Sequence, residues 1–206
     1  MEEFNRKTHW ETVYANKALE EVSWYQRVPE TSLSFFARFE VPLEAKIIDV
    51  GGGDSYLVDF LLEAGYCDIT VLDVSGKAIA RAKERLGKKA EMVKWIVADA
   101  ADFDPPEKYD FWHDRAAFHF LNDSSELVGY VQSAEKGLRK GGLLAIGTFS
   151  EKGPAKCSGI SIRQYSADSL KAQFELGFNS LECFSVDHKT PFDTVQNFVF
   201  CTFERV

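Results

Sequence analysis

From residue 46 onward, short apolar runs alternate with stretches in which apolar side chains recur every three or four positions. Lys46-Ile-Ile-Asp-Val50 is a compact run that stops at Gly51-Gly-Gly53, and residues 56–64 follow with Leu57, Phe60, Leu61 and Ala64 on one helical face. The pattern predicts strand, glycine turn, helix. Residues 68–72 form a second strand, after which Ser75 has the form of an N-cap for a helix carrying Ala78, Ile79, Ala82 and Leu86 and ending at Gly87. Further strands fall at 92–97, 109–114 and 143–148, the last preceded by Lys140-Gly-Gly142, which reads as a turn. Asp123-Ser-Ser-Glu126 resembles a capping box and opens a helix of Leu127, Val131, Ala134 and Leu138. Residues 149–163 read as a long irregular loop, 166–174 as a short helix, and 181–186 and 195–203 as two final strands.

Strands separated by helices at this rhythm form parallel βαβ units in one open, doubly wound α/β sheet. The last two strands lack a helix between them and so pair antiparallel. Residues 1–45 are expected to add a helical extension or lid, two helices about Pro29, to a core of 46–206; 206 residues are cramped for two domains. At 45% hydrophobic and 27% charged residues, the chain is not disordered. Its net charge of −8 makes nucleic acid a poor partner, and the basic stretch 80–94, interrupted by Glu84 and Glu91, reads as a solvated helix face. Cys67, Cys157, Cys183 and Cys201 are far apart and read as reduced thiols. No signal peptide or membrane span is visible, so a soluble, cytoplasmic protein is expected.

Ligands of such sheets bind beyond the carboxyl ends of the strands. There Asp49-Val-Gly51-Gly52-Gly53 offers side-chain-free backbone before a helix amino terminus. A dinucleotide fold would place a small residue at Tyr56, and no G-x-x-x-x-G-K-[ST] phosphate loop is present. Past the fourth strand His113, Asp114, Arg115 and His119 crowd together, and His119 is the preferred general base if a bound ligand must lose a proton. His113 could instead be a packed strand residue. Asp114 and Arg115 could pair with each other, or Arg115 could grip a carboxylate of that ligand. No metal-ligand spacing is present, and Cys157 reads as a small residue in a substrate loop.

An acidic residue two before a G-x-G turn, here Asp49, Gly51 and Gly53, resembles the first motif of the class I S-adenosylmethionine-dependent methyltransferases. The resemblance runs through most of the chain from Ala45. It is strongest to a small, poorly characterised subgroup with His9-Trp10-Glu11-Thr-Val-Tyr14, Ser23-Trp24-Tyr25-Gln26, Trp112-His113-Asp114-Arg115-Ala116 running on to His119-Phe120-Leu121, and Cys157-Ser158-Gly159 segments. It implies a Rossmann-like, mostly parallel seven-stranded sheet in the order third, second, first, fourth, fifth, seventh, sixth. It implies S-adenosyl-L-methionine as cofactor and S-adenosyl-L-homocysteine as product, with Asp73 on the ribose hydroxyls beside Val74, and Asp99 and Ala100 at the adenine. Gly52, Asp114, Trp10, Tyr14 and Trp24 complete the implied cofactor site. Asp73 could alternatively cap the next helix, and Asp99 could be an ordinary loop residue. The turn also resembles that of polyamine synthases, but Arg115 would repel a polyamine. Methyl transfer to a small molecule is the expected function, with a lysine-type protein acceptor second and a binding protein without turnover as an alternative of another class. The aromatic residues, 17 Phe, 7 Tyr and 4 Trp, concentrate in the first 40 residues and around the fourth strand, as a lid and floor over a cation would require.

Overall fold

In the computed structural model, which describes residues 4–206, the apolar periodicity resolves into one seven-stranded sheet covered by helices on both faces. The extension supplies α1 (Arg6–Asn16), whose N-cap Asn5 accepts the Thr8 N–H, and α2 (Glu30–Arg38), which starts directly after Pro29. The core follows as β1 (Lys46–Val50), α3 (Leu57–Ala64), β2 (Asp68–Asp73), α4 (Gly76–Leu86), β3 (Val93–Val97) and β4 (Tyr109–Arg115). Then come α5 (Ser124–Gly137), β5 (Leu138–Phe149), a ribbon of β6 (Lys156–Cys157) and β7 (Ile160–Ser161), α6 (Ala167–Phe174), β8 (Phe178–Lys189) and β9 (Val195–Arg205). Ser75 caps α4 through the Ala78 N–H, and Asp123 with Glu126 closes the expected box on α5. The strand order β3-β2-β1-β4-β5-β9-β8 is the expected one: β1 to β5 run parallel, and β9 pairs antiparallel with both β5 and β8.

Strand alternation divides the core between the two faces of the sheet. On β4, Trp112 packs with Tyr130, Leu144, Phe174 and Phe203 on one side, while Phe111 packs with Phe36, Ile47, Ala145 and Phe200 on the other. Each of these large side chains is buried, and full burial of one contributes roughly 2–3 kcal/mol.

Four expectations need correction. Lys140-Gly-Gly142 lies within β5, not before it: the β4–β5 register shifts between Tyr109 and Phe111, and Gly141 takes φ +74° to absorb the irregularity. The loop after β5 contains the β6–β7 ribbon, turned by Ser158 and Gly159 at φ +49° and +82°. Cys183 and Cys201 face each other in the β8–β9 register and form a disulfide, so only Cys67 and Cys157 are thiols. The basic stretch is not uniformly solvated, because Arg81 and Arg85 turn inward and hold the loops described below. Among the described residues no helix is long and apolar enough to cross a membrane.

Candidate functional site

The chain turns sharply after β1, and its neighbours dictate glycine there. Gly51 has φ +68°, and a Cβ on it would lie 2.5 Å from the Cβ of Ala117. At Gly52 a Cβ would lie 2.5 Å from Asp49 Oδ2; at Gly53, with φ +52°, it would lie 2.7 Å from the Tyr14 hydroxyl and 3.1 Å from Asp73 Oδ2. The turn is thus held between α1, the carboxylate of β2 and the loop after β4. Across that loop Ala116 takes φ +72°, an uncommon conformation for a residue with a side chain, as the chain leaves β4.

A buried hydrogen-bond chain supports the turn from below. His113 Nδ1 lies 2.7 Å from Asp49 Oδ1, and its Nε2 lies 2.9 Å from Ser32 Oγ. The Asp49 carboxylate accepts from Nδ1, and Nε2 shares a hydrogen bond with the Ser32 hydroxyl. His113 is therefore neither packed without partners nor free; it ties α2 to β1.

Side-chain contacts fasten the cover and brace the loop beneath it. Glu11 accepts the N–H groups of Gly76 (2.8 Å) and Lys77 (3.2 Å), joining α1 to the amino terminus of α4. Arg81 donates to the carbonyl oxygens of Tyr14 (3.1 Å) and Lys17 (2.7 Å) and pairs with Asp54 (3.0 Å). Arg85 donates to the Asp54 and Ser55 carbonyls and to Asp59. Arg6 places Nη1 2.8 and 2.7 Å from the two oxygens of Asp99 and reaches Glu126 with Nη2.

Between cover and turn lies a cavity that opens to solvent. Leu72, Asp73, Val74, Ala98, Asp99 and Ala100 line one end, and Arg115, Phe149, Cys157 and Phe198 line the other. Trp10, Tyr14 and Trp24 line it from the extension, with ring centroids 5.6 Å apart for Trp10 and Trp24 and 5.0 Å for Trp10 and Phe120. The two aromatic stretches do meet. Asp73 accepts the Ser75 N–H at 2.7 Å through Oδ1, while burial, aided by the Asp54 and Asp49 carboxylates, pushes its carboxyl up to about 7. Burial and the neighbouring Asp73 carboxylate likewise hold the Tyr14 phenol well above its ordinary value. A second cavity shares Tyr14, Trp24, Gly51 and Arg115 and adds Ser32, Asp49, Gly52 and His113.

Two residues expected at the chemistry stand outside both cavity linings. Asp114 is fully buried and accepts from the Tyr130 hydroxyl (2.6 Å) and the N–H groups of Ala117 (2.9 Å) and Phe118 (3.3 Å). It shapes the loop from behind instead of facing a ligand, and burial raises it to about 6 against those hydrogen bonds. His119 is also fully buried, its ring 4.6 Å from those of Phe120 and Phe149, and Nδ1 accepts the Phe149 N–H at 3.1 Å. Burial and the charge of Arg115 lower it to about 3, so the expected general base is a neutral ring behind the aromatic wall. Arg115 does not pair with Asp114: Nη1 donates to the Trp24 carbonyl at 3.0 Å. Asp99 is engaged by Arg6, a partner 93 positions away that no local pattern announces. Glu11, Ser32, Arg81, Phe149 and Phe198 are further site residues that the sequence does not single out, because each acts through a distant contact.

Residues 47–142 match a family model described as a methyltransferase domain. Malonyl-[acyl-carrier protein] O-methyltransferase 1 of Ilyobacter polytropus is 31% identical over 107 residues, covering 52% of this chain and 38% of that one. The eEF1A lysine and N-terminal methyltransferase of Mus musculus is 26% identical over 134 residues, 65% of this chain and 18% of that one. The chain thus matches well under half the length of these curated relatives. The N-methyltransferase NodS from Bradyrhizobium japonicum, solved with S-adenosyl-L-homocysteine, shares the fold with a TM-score of 0.74 at 18% identity, covering 98% of this chain and 99% of that one. Strand order and glycine turn agree with these matches: residues 47–142 are similar to a methyltransferase domain, and the whole chain shares the fold of the NodS N-methyltransferase.

Proposed function

We propose that the protein transfers the methyl group of S-adenosylmethionine to a small-molecule acceptor. One observation carries this: a single cavity is lined both by the carboxylate at the end of β2 and by the aromatic side chains of Trp10, Trp24, Phe120, Phe149 and Phe198. The residues fit the donor. Asp73, whose Oδ2 lies beside Gly53, lines the cavity with a group able to accept hydroxyl protons, and Val74, Ala98 and Ala100 line it with small apolar side chains suited to a flat ring. In this proposal Arg6 presents Asp99 at the ring end, and Asp49, held by His113, backs Gly51, Gly52 and Gly53. Asp114 contributes only by holding the Ala116–Phe118 loop.

Bound there, S-adenosylmethionine supplies an activated methyl group: the acceptor lone pair bonds to the methyl carbon while the carbon–sulfur bond breaks and leaves its electrons on a neutral sulfur. The chain aligns and desolvates. Residues 4–45 act as the cover of the 46–206 core, with Trp10 and Trp24 excluding water and offering ring faces to a cation. No lining side chain is assigned as general base, so the acceptor is expected to attack in its deprotonated form. A cytoplasmic location belongs to the proposal and is tested by fractionation together with the redox state of Cys183 and Cys201.

The small-molecule reading is favoured because α1 and the rings around Trp10 line the cavity; a lysine-type acceptor, as the mouse relative's name suggests, is second. Calorimetry with S-adenosylmethionine and S-adenosylhomocysteine tests the donor site, with micromolar binding expected. Absence of binding at millimolar ligand refutes it. Release of S-adenosylhomocysteine with an acceptor library separates an enzyme from a protein that only binds.

A further inference from the structure

Arg115 lines the cavity with a guanidinium whose donors the described residues leave incompletely paired. Its Nη1 has the Trp24 carbonyl, but Nη2 is buried without a hydrogen-bond partner, and Cζ lies 4.9 Å from the ring centroid of Phe198. Its neighbour Asp114 is spent on Tyr130, Ala117 and Phe118, whereas the other arginine of the cavity, Arg6, is matched by Asp99 and Glu126. Burial lowers Arg115 only to about 10, so it stays charged at neutral pH. A buried guanidinium with an idle donor is costly unless something anionic completes it.

We propose that Arg115 receives the carboxylate of the acceptor in the chamber it forms with Phe149 and Phe198, so that the substrates are small carboxylic acids or amino acids. This rests on the methyl-donor reading above and deepens it. A sulfonium donor adds a second positive charge to the same cavity, and a neutral or cationic acceptor would bring no anionic partner for the idle donor of Arg115. A carboxylate offsets both, and its two oxygens suit the planar fork of a guanidinium. The same charge balance disfavours a protonated lysine side chain.

The test starts from binding of S-adenosylhomocysteine to the wild-type protein; if that fails, the functional reading fails and the acceptor question does not arise. With that complex formed, short alkyl and aryl carboxylates are titrated beside their matching primary amides. Carboxylates are expected to bind about tenfold or more tightly than the amides. Arg115→Gln should abolish that preference, and Arg115→Lys, monitored by melting temperature for folding, should retain part of it. Equal binding of acids and amides to the wild-type protein overturns the proposal without reliance on any variant. The donor has a carboxylate of its own, so S-adenosylhomocysteine is also compared with its decarboxylated analogue. If Arg115→Gln weakens only the carboxylated form and leaves acid and amide probes unaffected, Arg115 serves the donor and the acceptor assignment is overturned.

Discussion

Replacing Asp73 by Asn isolates the donor end of the cavity. Its carboxyl titrates near 7 in the unliganded protein because burial opposes the charge, yet a pair of ligand hydroxyls would require the ionised form. Binding should therefore release a proton, and affinity should rise with pH until Asp73 is ionised in the free protein. With a free value of about 7 and a bound value well below 6, the apparent affinity should rise about tenfold from pH 6 to pH 8, or ~1.4 kcal/mol. Stability of the unliganded protein runs the other way. The folded value lies above the ordinary 3.8, so this group's contribution is complete below 3.8 and is lost as pH rises through about 7. Asp114, raised to about 6, affects stability in the same sense but touches no ligand, so it should leave the comparison of wild-type and variant binding unchanged. Calorimetry of S-adenosylhomocysteine in buffers of different ionisation enthalpy reads both affinity and proton release. Asp73→Asn should flatten the pH profile and weaken binding at pH 8 by about 2–3 kcal/mol, roughly thirtyfold or more. A wild-type profile that is flat between pH 6 and pH 8, or an Asp73→Asn protein that keeps the slope, would refute the assignment.

Gly51→Ala must place a Cβ against Ala117 at a positive φ, and should cost about 2 kcal/mol in urea unfolding while weakening S-adenosylhomocysteine binding at least as much; parental affinity would show that this contact does not set the turn. Glu11→Ala removes the acceptor of the Gly76 and Lys77 N–H groups, and is expected to lose about 1 kcal/mol and to raise hydrogen exchange at those two amides, whereas unchanged exchange would detach α1 from any role in closing the site. The Cys183–Cys201 bond closes a loop of separation 18, so reductant should lower stability by about 3 kcal/mol, and the Cys183→Ser, Cys201→Ser protein should not respond to reductant.

The parallel core was legible because its signals are local. Lys46–Val50 followed by glycines, Ser75 as a cap and the Asp123–Glu126 box each lie within a few residues of what they specify. The cavity floor followed from strand ends for the same reason. Side-chain direction did not. His119 follows a strand end and looked available, but the left-handed turn at Ala116 and the short helical turn after it send the ring behind Phe120 and Phe149. The disulfide was hidden because Cys183 and Cys201 become neighbours only through the hairpin register, which spacing alone does not reveal. Asp99 is expected at the adenine from its place after the third strand, but its engagement by Arg6 depends on where α1 docks.

That docking has a consequence for the order in which the molecule assembles. During synthesis α1 is made well before its partners, which lie far downstream: Gly76 is 65 positions from Glu11, Asp99 is 93 from Arg6 and Glu126 is 120 from Arg6. Such contacts form after the long intervening chain has been closed, so this helix has nothing to settle on until the strands and loops of the core have emerged behind it. Its Trp10 and Tyr14 rings must wait exposed through that interval, when a growing chain is most prone to stick to others. The ligand cavity is thus among the last features to be completed, and a molecule able to hold S-adenosylmethionine is one in which segments remote in sequence have already found each other.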